Sequence, residues 1–174
     1  TLLGLNYRPS ELTAAVARAQ LRKVGGVVRA MTRLGDRLTA LIRDIDGVSP
    51  CPVTPGGEHS YWLYAFRVTG YDPQEFVKAL KAEGIPVNWG YTITPIYTCA
   101  DALAEKRTFG GTSYPFASPY TDRPIEYKPG LCPVAERELL ETGTLRFYEN
   151  WTEADIDDVA AAFCKVAAGL PKTR

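Results

Sequence analysis

The sequence predicts an α+β fold, with about three strands and helices packed on one face, preceded by a long helical segment. Three observations carry this expectation. Apolar residues recur at spacings of three and four from Val24 to Ile45, the period of an amphipathic helix. Tyr61 to Val68 is an aromatic and β-branched run of the kind that forms strands. Helix-start signals at Asp72, Pro133 and Thr152 then alternate with short extended segments, which gives a mixed layer rather than a bundle or a barrel.

The first helical segment runs from Ser10 to about Ile45. Val24, Val27, Met31, Leu34, Leu38 and Ile42 share one stripe, while Arg29, Arg33, Asp36, Arg37 and Arg43 supply a solvated side. Unbroken, it would extend roughly 50 Å at about 1.5 Å per residue. Gly25 and Gly26 each cost about 1 kcal/mol relative to alanine in a helix interior, so a break into two helices is expected there.

Residues 49–58, rich in proline and glycine, read as a loop. The strand from Tyr61 to Val68 follows, apolar on both faces and hence central. Asp72 as N-cap, Pro73 in the first turn, Glu75 and a closing Gly84 define the next helix through Phe76, Val77 and Leu80. Ile85 to Val87 begins a short extended segment. Thr92 to Pro129 is too punctuated by Gly, Pro, Ser and Thr for regular structure, and loops of that length are commonly functional. Pro133 opens a helix through Leu140, Thr144 to Tyr148 reads as a strand, and Thr152 with Asp155 caps a last helix ended by Gly169 and Pro171.

Composition excludes several functions. The 174 residues are 45% hydrophobic and 23% charged, with 20 basic and 20 acidic side chains cancelling. No charge run supplies the footprint that nucleic acid or an anionic membrane requires, and no apolar run reaches the roughly 20 residues of a bilayer span. The expectation is a soluble, cytoplasmic protein acting on a small molecule. Cys51, Cys99, Cys132 and Cys164 lack metal-ligand spacing, and the one histidine, His59, reads as a loop residue without a catalytic task. No metal site and no catalytic residue is assigned.

A more specific signal lies in Gly4-Leu5-Asn6-Tyr7-Arg8-Pro9-Ser10-Glu11-Leu12, followed by Ala14-Ala15 and Gln20-Leu21. With Gly84-Ile85-Pro86-Val87, Gly90-Tyr91, Pro95-Ile96-Tyr97, Cys132-Pro133-Val134-Ala135-Glu136 and Asn150-Trp151-Thr152-Glu153 in order, it resembles the C-terminal part of the DegT/DnrJ/StrS aminotransferases. The similarity extends over nearly the whole chain. It implies a fold-type I enzyme that transfers an amino group, typically from glutamate, to a nucleotide-linked keto-sugar or an aminocyclitol precursor, using pyridoxal phosphate held by a lysine.

The resemblance places that lysine, the aspartate facing the pyridinium nitrogen and the aromatic stacked on the ring upstream of Asn6. The first residue, Thr1, is not a methionine, so the chain is read as an excised piece, inactive alone and carrying no bound cofactor. Residues 1–48 would link to the large cofactor domain and a homodimer interface, and residues 49–174 would form the small domain. By the same resemblance Asn6 reaches the cofactor phosphate across the dimer, and Arg8 lies by substrate phosphate or that site. Amide and guanidinium donors before a helix start suit phosphate oxygens. Tyr7, Tyr91 and Tyr97, with Gly90, are candidates to contact the sugar nucleotide. Tyr97 departs from the family pattern, which often has histidine after proline and an apolar residue.

A second reading is a stand-alone, non-catalytic α+β module for sugar-nucleotide binding or dimerisation. The two differ in the stripe from Val24 to Ile45, which a severed piece would expose and a self-sufficient module would cover.

Overall fold

The computed structural model describes residues 7–108, 110, 114–117, 123 and 125–173. The chain begins with one continuous helix, α1 (Glu11–Ile42), capped by Ser10, whose hydroxyl accepts from the Thr13 amide. The break expected at Gly25 and Gly26 does not occur. Both glycines lie on an exposed stretch, Gly26 with nothing near it. A break would leave a new set of unsatisfied amides and carbonyls, a larger cost than two glycines.

Next come β1 (Val48–Pro50), β2 (Tyr64–Val68), α2 (Pro73–Ala82) and β3 (Val87–Trp89). Two single-turn helices follow, α3 (Ile96–Cys99) and α4 (Asp101–Ala104), in the segment expected to be irregular. The chain ends with α5 (Pro133–Glu141), β4 (Thr142–Leu145) and α6 (Glu153–Gly169). The caps expected at α2 and α6 form: Asp72 accepts from the Gln74 and Glu75 amides, and Thr152 and Asp155 make a reciprocal capping box. Gly84 ends α2 in the left-handed conformation, φ +87°.

The sheet has four strands, in the order β1-β2-β4-β3, all neighbours antiparallel. The fourth is β1, whose Ser49 and Pro50 fall in the stretch read as loop. It ends in Pro50 at an edge, where the missing amide costs no ladder bond. Since β4 runs antiparallel to both neighbours, β2 and β3 are parallel, joined by α2 with β4 inserted between them, a split βαβ unit.

Alternation then sorts the side chains. Val48, Tyr64, Phe66, Val68, Val87 and Leu145 face the core, nearly or fully buried, against Leu34, Leu38 and Ile42 of α1, Phe76 and Leu80 of α2, and Ile156 and Phe163 of α6. Each such side chain contributes about 1.5–3 kcal/mol when fully buried. Gly143 is required where β4 crosses Phe66, because a β-carbon there would overlap the ring. Arg67, on the opposite face of β2, pairs with Glu138 and Glu141 of α5.

The stripe of α1 divides into two parts. From Met31 onward it is covered by the chain's own core, and Arg37 fastens it to α6 through two 2.7 Å hydrogen bonds to Asp157. Toward the N-terminus, Leu12 is 78% exposed, and Val16, Leu21 and Val24 are also uncovered.

Candidate functional site

The entry to β2 and the exit from β4 lie at one end of the sheet with the start of β3, since Tyr64 and Val87 both pair with Leu145, and the turn after β3 brings Tyr91 back to Trp62. Gly90 makes the turn after β3 with φ +63°, a conformation natural to glycine. Its amide donates to the Thr142 carbonyl (2.6 Å), and its carbonyl accepts from the buried Thr144 hydroxyl (3.1 Å). Ile93, itself at φ +64°, lies close to Gly90, an outlier for a β-branched residue.

This turn presents Tyr91, whose ring meets Trp62 edge-on with centroids 6.2 Å apart. The Arg146 guanidinium lies 5.6 Å from the Trp62 ring centroid, a cation–π distance. Trp62 and Tyr91 nevertheless remain 67% and 63% exposed. Arg146 borders three adjoining recesses. One of about 340 Å³ includes Val28, Met31, Trp62 and Glu149; one of about 440 Å³ includes Asn88, Tyr91 and Thr144; and one of about 410 Å³ includes Lys81, Asn88 and Trp151.

Of the residues named from sequence, Gly90 and Tyr91 belong to this site. Tyr97 is committed elsewhere: its hydroxyl donates to the Glu136 carboxylate and accepts from the Cys132 amide (3.1 Å), while Gly130 donates to Glu136 (2.8 Å). The Tyr97 hydrogen bond, helped by the amides, holds the Glu136 carboxyl below the usual range. Desolvation and the carboxylate push Tyr97 up to about 12. This arrangement pins the segment before α5.

Tyr7 is 83% exposed and Arg8 lies in the segment before Ser10. About 25 Å of helix, at 1.5 Å per residue, separates Glu11 from Val28 at the first recess, so neither meets Tyr91 within this chain. Asn6 lies outside the described residues. The His59 ring stacks on Tyr61 and its Nδ1 accepts from the Tyr61 amide (2.7 Å). The four cysteines are free and exposed, and no metal-binding cluster occurs among the described residues.

Sequence reasoning did not single out Trp62, Asn88, Thr144 or Arg146 as site residues. Arg146 interrupts an apolar run between Leu145 and Phe147, and strict alternation at that strand end was the available signal.

The model of the DegT/DnrJ/EryC1/StrS aminotransferase family matches residues 1–113. GDP-perosamine synthase of Vibrio cholerae is 28% identical over 149 residues, covering 79% of this chain and 37% of that protein. Among solved structures, a DegT DnrJ EryC1 StrS aminotransferase from Brucella abortus aligns with a TM-score of 0.68 at 20% identity, over 95% of this chain and 38% of its own. A sugar aminotransferase from Micromonospora echinospora gives 0.68 at 17% identity, over 95% and 37%. This chain therefore spans less than two-fifths of the length of these relatives. No helix among the described residues is long and apolar enough to cross a membrane. On the match over residues 1–113, the chain belongs to the DegT/DnrJ/EryC1/StrS aminotransferase family.

Proposed function

We propose that this chain is the C-terminal part of a cytoplasmic, homodimeric pyridoxal-phosphate-dependent aminotransferase. Its substrate class is a nucleotide-linked keto-sugar or an aminocyclitol precursor, with glutamate or a similar amino acid as donor. The observation that carries the reading is the family match together with a span of less than two-fifths of the relatives.

Of the stripe from Val24 to Ile45, the part from Met31 onward is covered by the core as in a self-sufficient module, while the N-terminal half of α1 stays exposed and supports the reading of a part. Leu12, Val16 and Val24 continue the stripe that the core covers from Met31 onward, and a larger domain and second subunit would cover them. The cofactor, when bound, supplies the electron sink for amino-group transfer. The described residues do not fit its covalent site: all seven lysines are exposed, without the desolvated or cationic setting that activates a lysine amine. Asn6 is assigned to the cofactor phosphate across the dimer, and Arg8 to substrate phosphate or to that same site. Tyr91 contacts substrate, Tyr7 is assigned to the substrate entrance, and Tyr97 serves it by holding the loop before α5.

The test has two arms. Treating the 174-residue chain with pyridoxal phosphate and borohydride, then mapping peptides, should give scattered low-yield labelling; stoichiometric labelling of one lysine overturns the domain assignment. Fusing a family large domain ahead of Thr1 should give glutamate-dependent amination of a nucleotide-linked keto-sugar. A folded, cofactor-loaded fusion without that activity overturns the substrate class.

A further inference from the structure

We propose that Arg146 and Lys81 hold the diphosphate of a nucleotide ligand, and that Trp62 and Tyr91 form the surface on which its base stacks. The inference rests on the sugar-nucleotide reading above and assigns its nucleotide end to this chain.

Arg146 and Lys81 border the same recess of about 410 Å³ with Asn88, and among the described residues no carboxylate pairs with either cation. Two cations and an amide facing one concave space suit an anion with several acceptor oxygens. The Arg146 guanidinium lies over the Trp62 ring at a cation–π distance, which leaves its N–H donors available. The neighbouring recesses add what a bare anion does not need: two aromatic rings that remain mostly exposed, and Glu149, a carboxylate acceptor for ribose or sugar hydroxyls. The combination of charge, stacking surface and hydroxyl acceptor selects a nucleoside diphosphate over a simple carboxylate or inorganic phosphate.

Calorimetric titration of the 174-residue chain with UDP, GDP and dTDP, against pyrophosphate and the free nucleosides, tests this. At least one nucleoside diphosphate should bind, with pyrophosphate and the matching nucleoside at least about ten-fold weaker. R146A should weaken binding by about ten-fold or more and flatten its salt dependence. K81A and W62A should each weaken it several-fold, and R43A, at an exposed pair with Asp44, should not. Circular dichroism checks folding, and R146K, which keeps charge but loses the planar guanidinium fork, should fall between wild type and R146A. Absence of binding overturns the proposal, as does binding indifferent to R146A and R146K. Pyrophosphate binding as well as the nucleotides, with W62A neutral, overturns the stacking assignment. If the chain fails to bind nucleotide while the fusion aminates a keto-sugar nucleotide, this inference falls and the functional reading stands.

Discussion

The ring of Tyr61 rests on Gly35 of α1, where a β-carbon would overlap it. Tyr61 itself has φ +47°, its hydroxyl donates to Asp36 (2.8 Å), and its ring stacks on those of His59 and Tyr64. The lone histidine, the bend ahead of β2 and a helix glycine therefore form one packed unit that fixes how α1 meets the sheet.

Gly35→Ala should destabilise the chain by about 1–3 kcal/mol, the usual penalty for overpacking. Gly26→Ala should act oppositely. Nothing lies near Gly26, and alanine gains about 1 kcal/mol over glycine in a helix interior. Denaturant melts and helicity by circular dichroism measure both; equal signs for the two would contradict the packing described here.

The same unit shows which parts of the fold were legible in sequence. The helices at Asp72 and Thr152 were readable because cap, first-turn and closing residues sit within a few positions of one another. Tyr61 to Leu63 looked like strand by composition, yet the left-handed Tyr61 delays β2 to Tyr64, a preference set by contact with Gly35 across 26 positions. The break at Gly25 was misread because local propensity omits the cost of two new helix ends. β1 was invisible, since three residues ending in proline acquire strand character only by pairing with β2. Arg146 and Trp62 come together only after β2 and β4 pair, so neither carried a local signal.

Arg37 and Asp157 provide a pH-dependent fastening between α1 and α6. The Arg37 hydrogen bonds, then its charge, hold the Asp157 carboxyl below its usual range. A lowered folded value means the contribution is complete above the ordinary aspartate value of about 3.9, and is lost as pH falls through the folded one. Asp157→Asn should lower the melting temperature near pH 7, and the gap should close as the pH falls through the lowered folded value. A gap that persists at that acidity would show that the carboxylate charge is not what matters.

Tyr97→Phe should release Glu136. Without the hydroxyl, the carboxyl loses the largest influence lowering its pKa, so its titration should move up toward the ordinary glutamate range in a carbon-detected NMR experiment. Amide exchange at Gly130 and Cys132 should speed up as the segment before α5 loosens. Unchanged titration would mean the backbone amides alone hold the carboxylate.

Thr144 links the sheet to the turn that presents Tyr91. Its hydroxyl is buried and donates to the Gly90 carbonyl, and Thr142 accepts from the Gly90 amide. Valine at position 144 keeps the shape and strand preference of threonine but supplies no donor, leaving a buried carbonyl short of its partner. The expected loss is about 1–3 kcal/mol, seen as a lower denaturant midpoint with an unchanged m-value. Serine at 144 retains the donor and should recover most of that loss, which separates the hydrogen bond from the methyl packing. Because Gly90 and Ile93 both hold left-handed conformations, the slackened turn should also let Tyr91 swing from Trp62, raising amide exchange at Tyr91 while leaving α6 protected. If valine leaves both stability and Tyr91 exchange untouched, the turn is held by the Thr142 carbonyl alone.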